Sequence, residues 1–423
     1  MRPPAIFRHH AFHDSDASAP RRPEARASVR LSALPPFRLP VTPLAWVALV
    51  LVLALAGAAL DLTIGFRQLA RLRDFPPRSN DGAALVSIVV AARNEERGVE
   101  AAARSLLAQR YSRLEIVVVD DRSTDGTGAI LDRLAESEPR LRVVHLRELP
   151  PGWLGKNHAL ATGAGAARGE WILFTDADVV MHPEAVGRAV EYAERRGFDH
   201  LAVLPELRMR GLFAQAFLVS FGSTGIEALR PWKARDPGSR RFAGVGAFNL
   251  VRASAYRRAG GHDPIRLRPD DDLKLGKILK RSGARQDVLL GADFVVVEWY
   301  HSLGEAIEGL SKNSFSVVEY NVLLMLGAAV FYPVLGLGSL AALVLGAGPL
   351  RILGGVGVAV QAAVQARMAG EIRASRWTGL LYPVGALILA WIVLRTLVLN
   401  LRQGGIVWRE TFYPLEQLRK NRV

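Results

Sequence analysis

Two kinds of hydrophobic pattern divide the chain. Long apolar runs with few charges occupy residues 43–66 and much of the chain after residue 321, whereas the region between them has short apolar runs separated by polar turns. An apolar run of about 20 residues is long enough to span a bilayer. Short apolar runs that alternate with helix-length segments are typical of a parallel α/β sheet. The pattern predicts an α/β domain at about 84–315 with transmembrane helices on both sides.

The central region predicts four strands and the helices that connect them. We expect strands at 86–90, 114–119, 142–146 and 171–175, and helices at 95–109, 156–168 and 251–259, with another ending near residue 136. Ligands of such sheets bind beyond the carboxyl ends of the strands. The polar residues that follow three of these strands should therefore share one edge, where a nucleotide would bind.

The membrane segments leave the topology open. Residues 43–66 predict an uncleaved transmembrane anchor, and the arginines that follow it favour a cytoplasmic domain. Residues 321–400 predict C-terminal transmembrane helices, namely spans at 322–345 and 378–399 and a weaker one at 350–369. Three crossings would put the basic tail, 401–423, opposite the α/β domain. A re-entrant middle segment would remove that conflict. Residues 208–232 fit either an interfacial helix or a core-facing one.

The composition limits the classes of molecule that the chain is expected to bind. The formal net charge of the 423-residue chain is +14, which together with the membrane segments favours an anionic lipid surface over nucleic acid. The chain has no cysteine, which excludes disulfides, thiolate metal sites and a cysteine nucleophile. Residues 1–40 are rich in Arg, Pro, Ala and Ser and predict a disordered extension.

The chemistry centres on the strand 171–175, which ends in Asp176 and Asp178. Side chains at i and i+2 of an extended segment point to the same side. Carboxylates at a sheet edge suit Mg²⁺ or Mn²⁺, which would bridge nucleotide phosphates. The alternative is a plain strand followed by a polar turn.

Three motifs carry a family resemblance: VSIVVAARNEE at 86–96, VVDDRSTDGT at 118–127 and FTDAD at 174–178. In order and spacing they resemble the family 2 glycosyltransferases, which have a GT-A fold. PGWLGK at 151–156 and GGIVWRETFY at 404–413 are similar to membrane enzymes that glycosylate lipids, such as hopanoid-associated and carotenoid glucosyltransferases. The Gln-x-x-Arg-Trp motif of processive polysaccharide synthases is absent from the corresponding helix.

The resemblance implies a role for each candidate site residue. It implies a nucleotide-sugar pocket, a metal site at Asp178 with Asp176, and a general base at Asp272 or Asp271. The members of the implied nucleotide-sugar pocket are Ala92, Asn94, Glu95, Asp120, Asp121, Lys156 and Asp176. Either Asp120 or Asp121 would accept from the uracil N–H. The alternatives without a role in binding or catalysis are helix capping for the acids at 120–125 and 270–272, and a solvated lysine at 156.

These observations predict an inverting, metal-dependent glycosyltransferase at the membrane. It would use Mg²⁺ or Mn²⁺ to move a sugar from a UDP-sugar donor to a hydroxyl of a membrane lipid, an isoprenoid-type acceptor, at the cytoplasmic face. A polysaccharide synthase of the same family and a non-catalytic membrane protein that binds nucleotide-sugars are the alternatives. The partners expected are the donor, the lipid acceptor and the bilayer, with no nucleic acid.

Overall fold

A computed structural model describes residues 42–78 and 82–423, so the predicted disorder of residues 1–40 falls outside the described part. The strands are Ala70–Arg71 (β1), Val86–Ala92 (β2), Leu114–Asp121 (β3), Leu141–Leu146 (β4), Trp171–Asp176 (β5), Val179–Met181 (β6), His200–Leu204 (β7), Glu206–Arg208 (β8), Asn249–Arg252 (β9), Gln286–Leu290 (β10), Val295–Glu298 (β11), Gly405–Trp408 (β12) and Thr411–Pro414 (β13).

Helices connect these strands and continue beyond them. The α-helices are Pro43–Gln68 (α1), Val99–Leu107 (α2), Thr127–Ser137 (α3), Gly155–Ala166 (α4), Ala185–Arg196 (α5), Leu212–Leu229 (α6), Ala253–Arg258 (α7), Asp271–Arg281 (α8), Leu303–Val317 (α9), Val322–Leu345 (α10), Pro349–Glu371 (α11), Tyr382–Gln403 (α12) and Leu415–Lys420 (α13). Short 3₁₀ turns lie at Leu72–Asp74, Pro231–Lys233, Asp263–Ile265 and Arg376–Leu381.

The main sheet has eight strands in the order β1-β10-β7-β9-β5-β2-β3-β4. The predicted α/β fold class with apolar helices on both sides is confirmed, but the sheet is mixed because β9 runs antiparallel to both β5 and β7. The predicted helix at 251–259 is wrong in its first turn, since Val251 lies in β9 and is fully buried. A run of small and apolar residues did not distinguish a short buried strand from a helix.

The register of the sheet determines where the candidate site residues lie. Ala91 of β2 pairs with Asp176 of β5, and Ala92 pairs with Asp120 of β3. The ends of these three parallel strands are therefore level, and the acids that end β5 and β3 lie at one edge on either side of β2. Fully buried side chains such as Ile88 and Trp171 fill the faces of the sheet below that edge. Burying apolar surface on both faces is what holds a parallel sheet together.

In the described part of the chain, five helical segments are long and apolar enough to cross a membrane: Pro43–Gln68, Leu212–Lys233, Val322–Leu345, Pro349–Glu371 and Arg376–Gln403. The second contains α6, which packs against α11 and α12. Within α6, Phe217 is buried and Phe213 is 57% exposed. This helix thus shows features of both alternatives, one face packed on its neighbours and one face open.

The C-terminal tail touches the α/β domain. The amide oxygen of Asn421 accepts a hydrogen bond from the backbone N–H of Leu267 at 3.0 Å, and Arg409 pairs with Glu95. The tail and the α/β domain therefore lie on the same side of any membrane that the helices cross, so α10, α11 and α12 do not all make full crossings. Gly379 packs against Ala362 of α11, which places the start of the last segment partway along that helix.

A buried arginine joins the α/β domain to the first C-terminal helices. Arg268 is fully buried, and its guanidinium binds both carboxylate oxygens of Asp270 at 2.9 and 3.0 Å. It also reaches Glu319 at 2.8 Å and donates to the carbonyl oxygen of Ser316 at 2.8 Å. Lys274 stands 3.4 Å from Asp270. The network fixes the residue that precedes α8 to the link between α9 and α10.

We expect Arg268→Ala to destabilise the protein by about 3–5 kcal/mol, because it leaves the buried Asp270 without its main partner. The melting temperature of the purified full chain in detergent measures this. Arg195→Ala is the matched control, since it removes an arginine whose side chain is 64% exposed and which pairs with Glu191 one helical turn away. Equal melting temperatures for both variants would contradict the structural role of Arg268.

Candidate active site

Three of the predicted site acids, Asp176, Asp271 and Asp272, gather around one lysine. Lys156, in the first turn of α4, places its ammonium nitrogen 2.8 Å from Asp176 Oδ1 and 3.4 Å from Asp271 Oδ1. Burial alone lowers the pKa of Lys156, but the carboxylates of Asp176, Asp271 and Asp272 outweigh it, and the pKa is raised. Lys156 is therefore charged and paired, and the alternative of a solvated lysine is wrong.

The two acids at the start of α8 differ in their partners. Asp272 Oδ2 accepts the backbone N–H of Gly246 at 2.8 Å, and Asp272 Oδ1 accepts that of Leu273 at 2.8 Å. Asp271 instead faces Lys156. Burial raises the pKa of Asp272, and it raises that of Asp271 to about 7 even though Lys156 acts in the opposite direction. Asp272 is thus the acid held by backbone amides, and Asp271 is the acid held by a cation.

Glycines in the loop before β9 allow this arrangement. Gly246 donates to Asp272, and a Cβ on it would lie 2.6 Å from Asp176 Oδ2. A Cβ on Gly244 would overlap the carbonyl oxygen of Asp272, and one on Gly276 would overlap that of Ala243. The loop before β9 therefore makes close backbone contact with α8, which only residues without a side chain allow.

Asp178 stands apart from this cluster and opens onto a large cleft. Its side chain is exposed where it lines the cleft, and the protein atoms around it remove part of its hydration. This partial desolvation, and next the carboxylates of Asp176 and Glu95, raise the pKa of Asp178 to about 7. A carboxylate whose neighbours are also negative is a suitable ligand for a cation.

The donor set for a metal is small. Within residues 42–78 and 82–423, no three Asp, Glu or His side chains are close enough together to hold a metal ion by themselves. Asp176 and Asp178 remain a fit for Mg²⁺ or Mn²⁺ of the type that uses one or two carboxylates, with substrate phosphates and water as the other ligands. The raised pKa of Asp178 agrees with that fit.

Two loops form the wall of the predicted nucleoside pocket. Asn94 has a positive φ of 54°, and its Oδ1 accepts the backbone N–H of Thr124 at 2.8 Å. Its own N–H donates to Ser123 Oγ at 3.0 Å, and the N–H of Glu95 donates to Thr127 Oγ1 at 2.8 Å. Asn94 therefore holds the loop after β2 against the loop after β3, and the predicted helix at 95–109 starts only at Val99 because these residues form the turn.

The two acids that end β3 are buried and already paired. Asp120 accepts the N–H of Ser123 at 3.2 Å and lies 2.9 Å from His145 Nδ1. Asp121 receives two hydrogen bonds from the guanidinium of Arg122, at 2.8 and 3.1 Å. Which of the two would accept from a uracil N–H stays open, because both engage protein groups.

The cleft beside Asp178 has a volume of about 1100 Å³. Its lining combines the acids Glu95 and Asp178 with Trp299, Tyr300 and Ile372. Trp299 stacks on Phe217 of α6, and Ile372 follows α11. Lys156, Asp176, Asp271 and Asp272 line a separate, narrow cavity of about 10 Å³. Lys312 lines another cavity together with Arg395.

Residues 87–214 match the family model "Glycosyl transferase family 2". This segment is a family 2 glycosyltransferase domain. It contains β2 to β5 and hence Asn94, Asp120, Lys156, Asp176 and Asp178. The other candidate acids, Asp271 and Asp272, follow the matched segment in the chain.

Known relatives match parts of the chain. The succinoglycan biosynthesis protein ExoO of Rhizobium meliloti (strain 1021) is 41% identical over 113 residues, which cover 26% of this chain and 30% of that protein. The 4,4'-diaponeurosporenoate glycosyltransferase of Staphylococcus haemolyticus (strain JCSC1435) is 26% identical over 238 residues, covering 54% of this chain and 60% of that protein. The chain thus spans less than two thirds of either relative.

A solved mannosyltransferase from Pyrobaculum calidifontis, in complex with GDP-Man and Mn²⁺, superposes with a TM-score of 0.49 at 20% identity. The superposition covers 85% of this chain and 99% of that one.

Sequence reasoning missed three contributors to this site. Arg93, Arg409 and Glu410 form ion pairs beside the nucleoside loops, and 314 or more residues separate the two sides of each pair in the chain. The stretch 404–413 was noted for its resemblance only. No short-range pattern predicts a contact over such a separation.

We expect Gly244→Ala to displace the loop from α8, because the new methyl group would overlap the backbone of Asp272. The melting temperature should fall and Asp272 should lose its hydrogen bond to Gly246. Gly165→Ala in α4 is the control: nothing lies within 4 Å of its Cβ position, and alanine favours a helix. Thermal unfolding of both purified variants measures the effect, and an unchanged Gly244→Ala variant would contradict the close packing.

Proposed function

We propose that this protein is an inverting glycosyltransferase that transfers a sugar from a UDP-sugar to a hydroxyl group of a membrane lipid. The observation that carries the proposal is the cleft, whose lining combines Glu95 and Asp178 with Trp299, Tyr300 and Ile372 beside the apolar helices. A donor bound at the acids and a lipid bound against the aromatic and apolar side chains would share this cleft. The five apolar helices support membrane association, and the arginines after α1 favour a cytoplasmic catalytic side.

Asp272 is the proposed general base. It takes the proton of the acceptor hydroxyl while that oxygen forms a bond to the anomeric carbon, and the bond from that carbon to the diphosphate oxygen breaks on the opposite face. UDP leaves with the electron pair. The hydrogen bonds from Gly246 and Leu273 hold the carboxylate in place, and burial raises its pKa, which makes it a better proton acceptor.

Lys156 and the acids of the sheet edge bind the donor in this proposal. The ammonium group of Lys156 would exchange one of its carboxylate partners for a diphosphate oxygen, at the start of α4, where backbone N–H groups also favour an anion. Asp176 and Asp178 would hold Mg²⁺ or Mn²⁺, which supplies positive charge to the leaving diphosphate. Ala92, Asn94, Glu95 and one of the acids that end β3 would surround the nucleoside.

A second candidate is a polysaccharide synthase. It is favoured by the relative from Rhizobium meliloti, whose name refers to succinoglycan biosynthesis. The two candidates differ in the product, because one yields a glycolipid that dissolves in organic solvent and the other a polymer.

We expect membranes that carry the protein to incorporate label from one of a panel of radiolabelled UDP-sugars into organic-soluble material. Asp272→Asn should lower this rate by about 10²–10⁴-fold, because amides do not accept the proton, while UDP binding remains. Asp263→Asn, which changes an exposed acid near α8, is the control. Label found only in a polymer would favour the synthase, and full activity in Asp272→Asn would exclude this base.

The metal assignment has its own test. A chelator should abolish transfer, and Mn²⁺ or Mg²⁺ should restore it. Asp178→Asn should remove the part of UDP affinity that depends on the metal, because it deletes a proposed ligand and leaves Asp176 paired with Lys156. Titration of UDP with and without Mn²⁺ measures this. An Asp178→Asn variant that keeps metal-stimulated binding would show that another residue holds the ion.

A further inference from the structure

The hairpin after α12 has an unusual turn. β12 and β13 pair in antiparallel register with Trp408 opposite Thr411, so Arg409 and Glu410 are the two turn residues. Both have positive φ values, 42° and 72°. Two-residue turns of this kind favour Asn-Gly, because the left-handed region is sterically disfavoured for other side chains. The chain keeps Arg and Glu there, and their side-chain contacts offset that disfavoured conformation.

Those contacts reach the nucleoside end of the candidate site. Arg409 Nη2 lies 2.9 Å from Glu95 Oε1, and Arg409 Nη1 donates to the carbonyl oxygen of Arg93. Glu410 Oε2 lies 3.1 Å from Arg93 Nη2. The side chain of Arg93 is 9% exposed, and its Nη1 lies 3.8 Å from Asp121 Oδ2 without a hydrogen-bond partner. The turn thus contacts the loop after β2 and, through Arg93, an acid that ends β3.

The base of the hairpin is fixed on the opposite side. Ile406 and Tyr413 are buried in one apolar cluster with Leu154 and with Leu397 of α12. The hydroxyl of Tyr413 donates to the carbonyl oxygen of Trp153 at 3.1 Å. Leu154 is the N-cap residue of α4, whose first turn carries Lys156. The hairpin therefore connects an apolar helix to both the nucleoside loops and the lysine helix.

We propose that residues 405–414 form a strap over the nucleoside end of the donor site, with Arg409 and Glu410 as positioning residues for a nucleoside diphosphate. The strap holds the backbone of Arg93 and the carboxylate of Glu95 in the conformation that receives the nucleotide. Arg409 and Glu410 act through these residues rather than by contact with the reacting atoms. This inference rests on the proposed function, because it needs a nucleotide donor at this edge of the sheet.

The double variant Arg409→Asn/Glu410→Gly separates these contacts from the fold of the hairpin. Asn-Gly is favoured in this turn, so the melting temperature should stay equal or rise. The dissociation constant for UDP should increase by roughly 5- to 150-fold, the usual range for coupling between two sites. The donor KM should rise by a similar factor with a smaller change in kcat. Isothermal titration of the full chain in detergent measures the binding.

Three further variants complete the experiment. Glu416→Gln/Lys420→Gln removes an exposed ion pair in α13 and should leave UDP binding unchanged. Arg409→Lys keeps the charge beside Glu95 and should restore part of the affinity lost in Arg409→Ala. An Arg409→Asn/Glu410→Gly variant that binds UDP as tightly as the unmodified chain overturns the strap proposal but leaves the proposed function in place. An unmodified chain that binds neither UDP nor GDP overturns the proposed function and the strap with it.

Discussion

One ammonium group keeps the candidate site together. The sheet register and the start of α8 bring several carboxylates to one edge, where their mutual repulsion would drive them apart or neutralise them. Lys156 lies within 3.4 Å of two of them, Asp176 and Asp271, and offsets that repulsion. Asp178 lies farther from the lysine, and desolvation, followed by its acidic neighbours Asp176 and Glu95, raises its pKa to about 7. The carboxylates still outnumber the one ammonium group, so the site favours a further cation. A donor diphosphate would add negative charge there and change that balance.

Backbone packing determines how closely these charges approach. Gly244 and Gly276 allow the loop before β9 to contact α8 directly, and Gly246 separates Asp176 from Asp272 by no more than its own backbone. Side chains at these positions would overlap the backbone of Asp272, the backbone of Ala243 or the carboxylate of Asp176, so the acids would have to move. The mixed sheet contributes as well, because the antiparallel β9 continues this loop beside β5. The positions of the acids therefore depend on glycines, which have no side chain, as much as on the charged residues.

The sequence predicted what depends on local pattern. The strands at 86–92, 114–121 and 171–176 and the acids at their ends follow from apolar runs that stop at polar residues. Residues 251 and 252 of the strand at 249–252 were expected in a helix, because four residues are too few for a period to be recognised. The contact between Arg409 and Glu95 could not be predicted, since it depends on how the membrane helices return the chain to the domain.

The hairpin has a consequence for biosynthesis. Residues 405–414 are made after α12, so the α/β domain leaves the ribosome before the segment that pairs with Arg93 and Glu95 exists. These pairs form only once the apolar helices have taken positions that carry the chain back. Completion of this edge of the sheet is therefore ordered in time behind the synthesis and packing of α10 to α12. A chain that stops before residue 405 would leave Arg93 without Glu410 and Glu95 without Arg409.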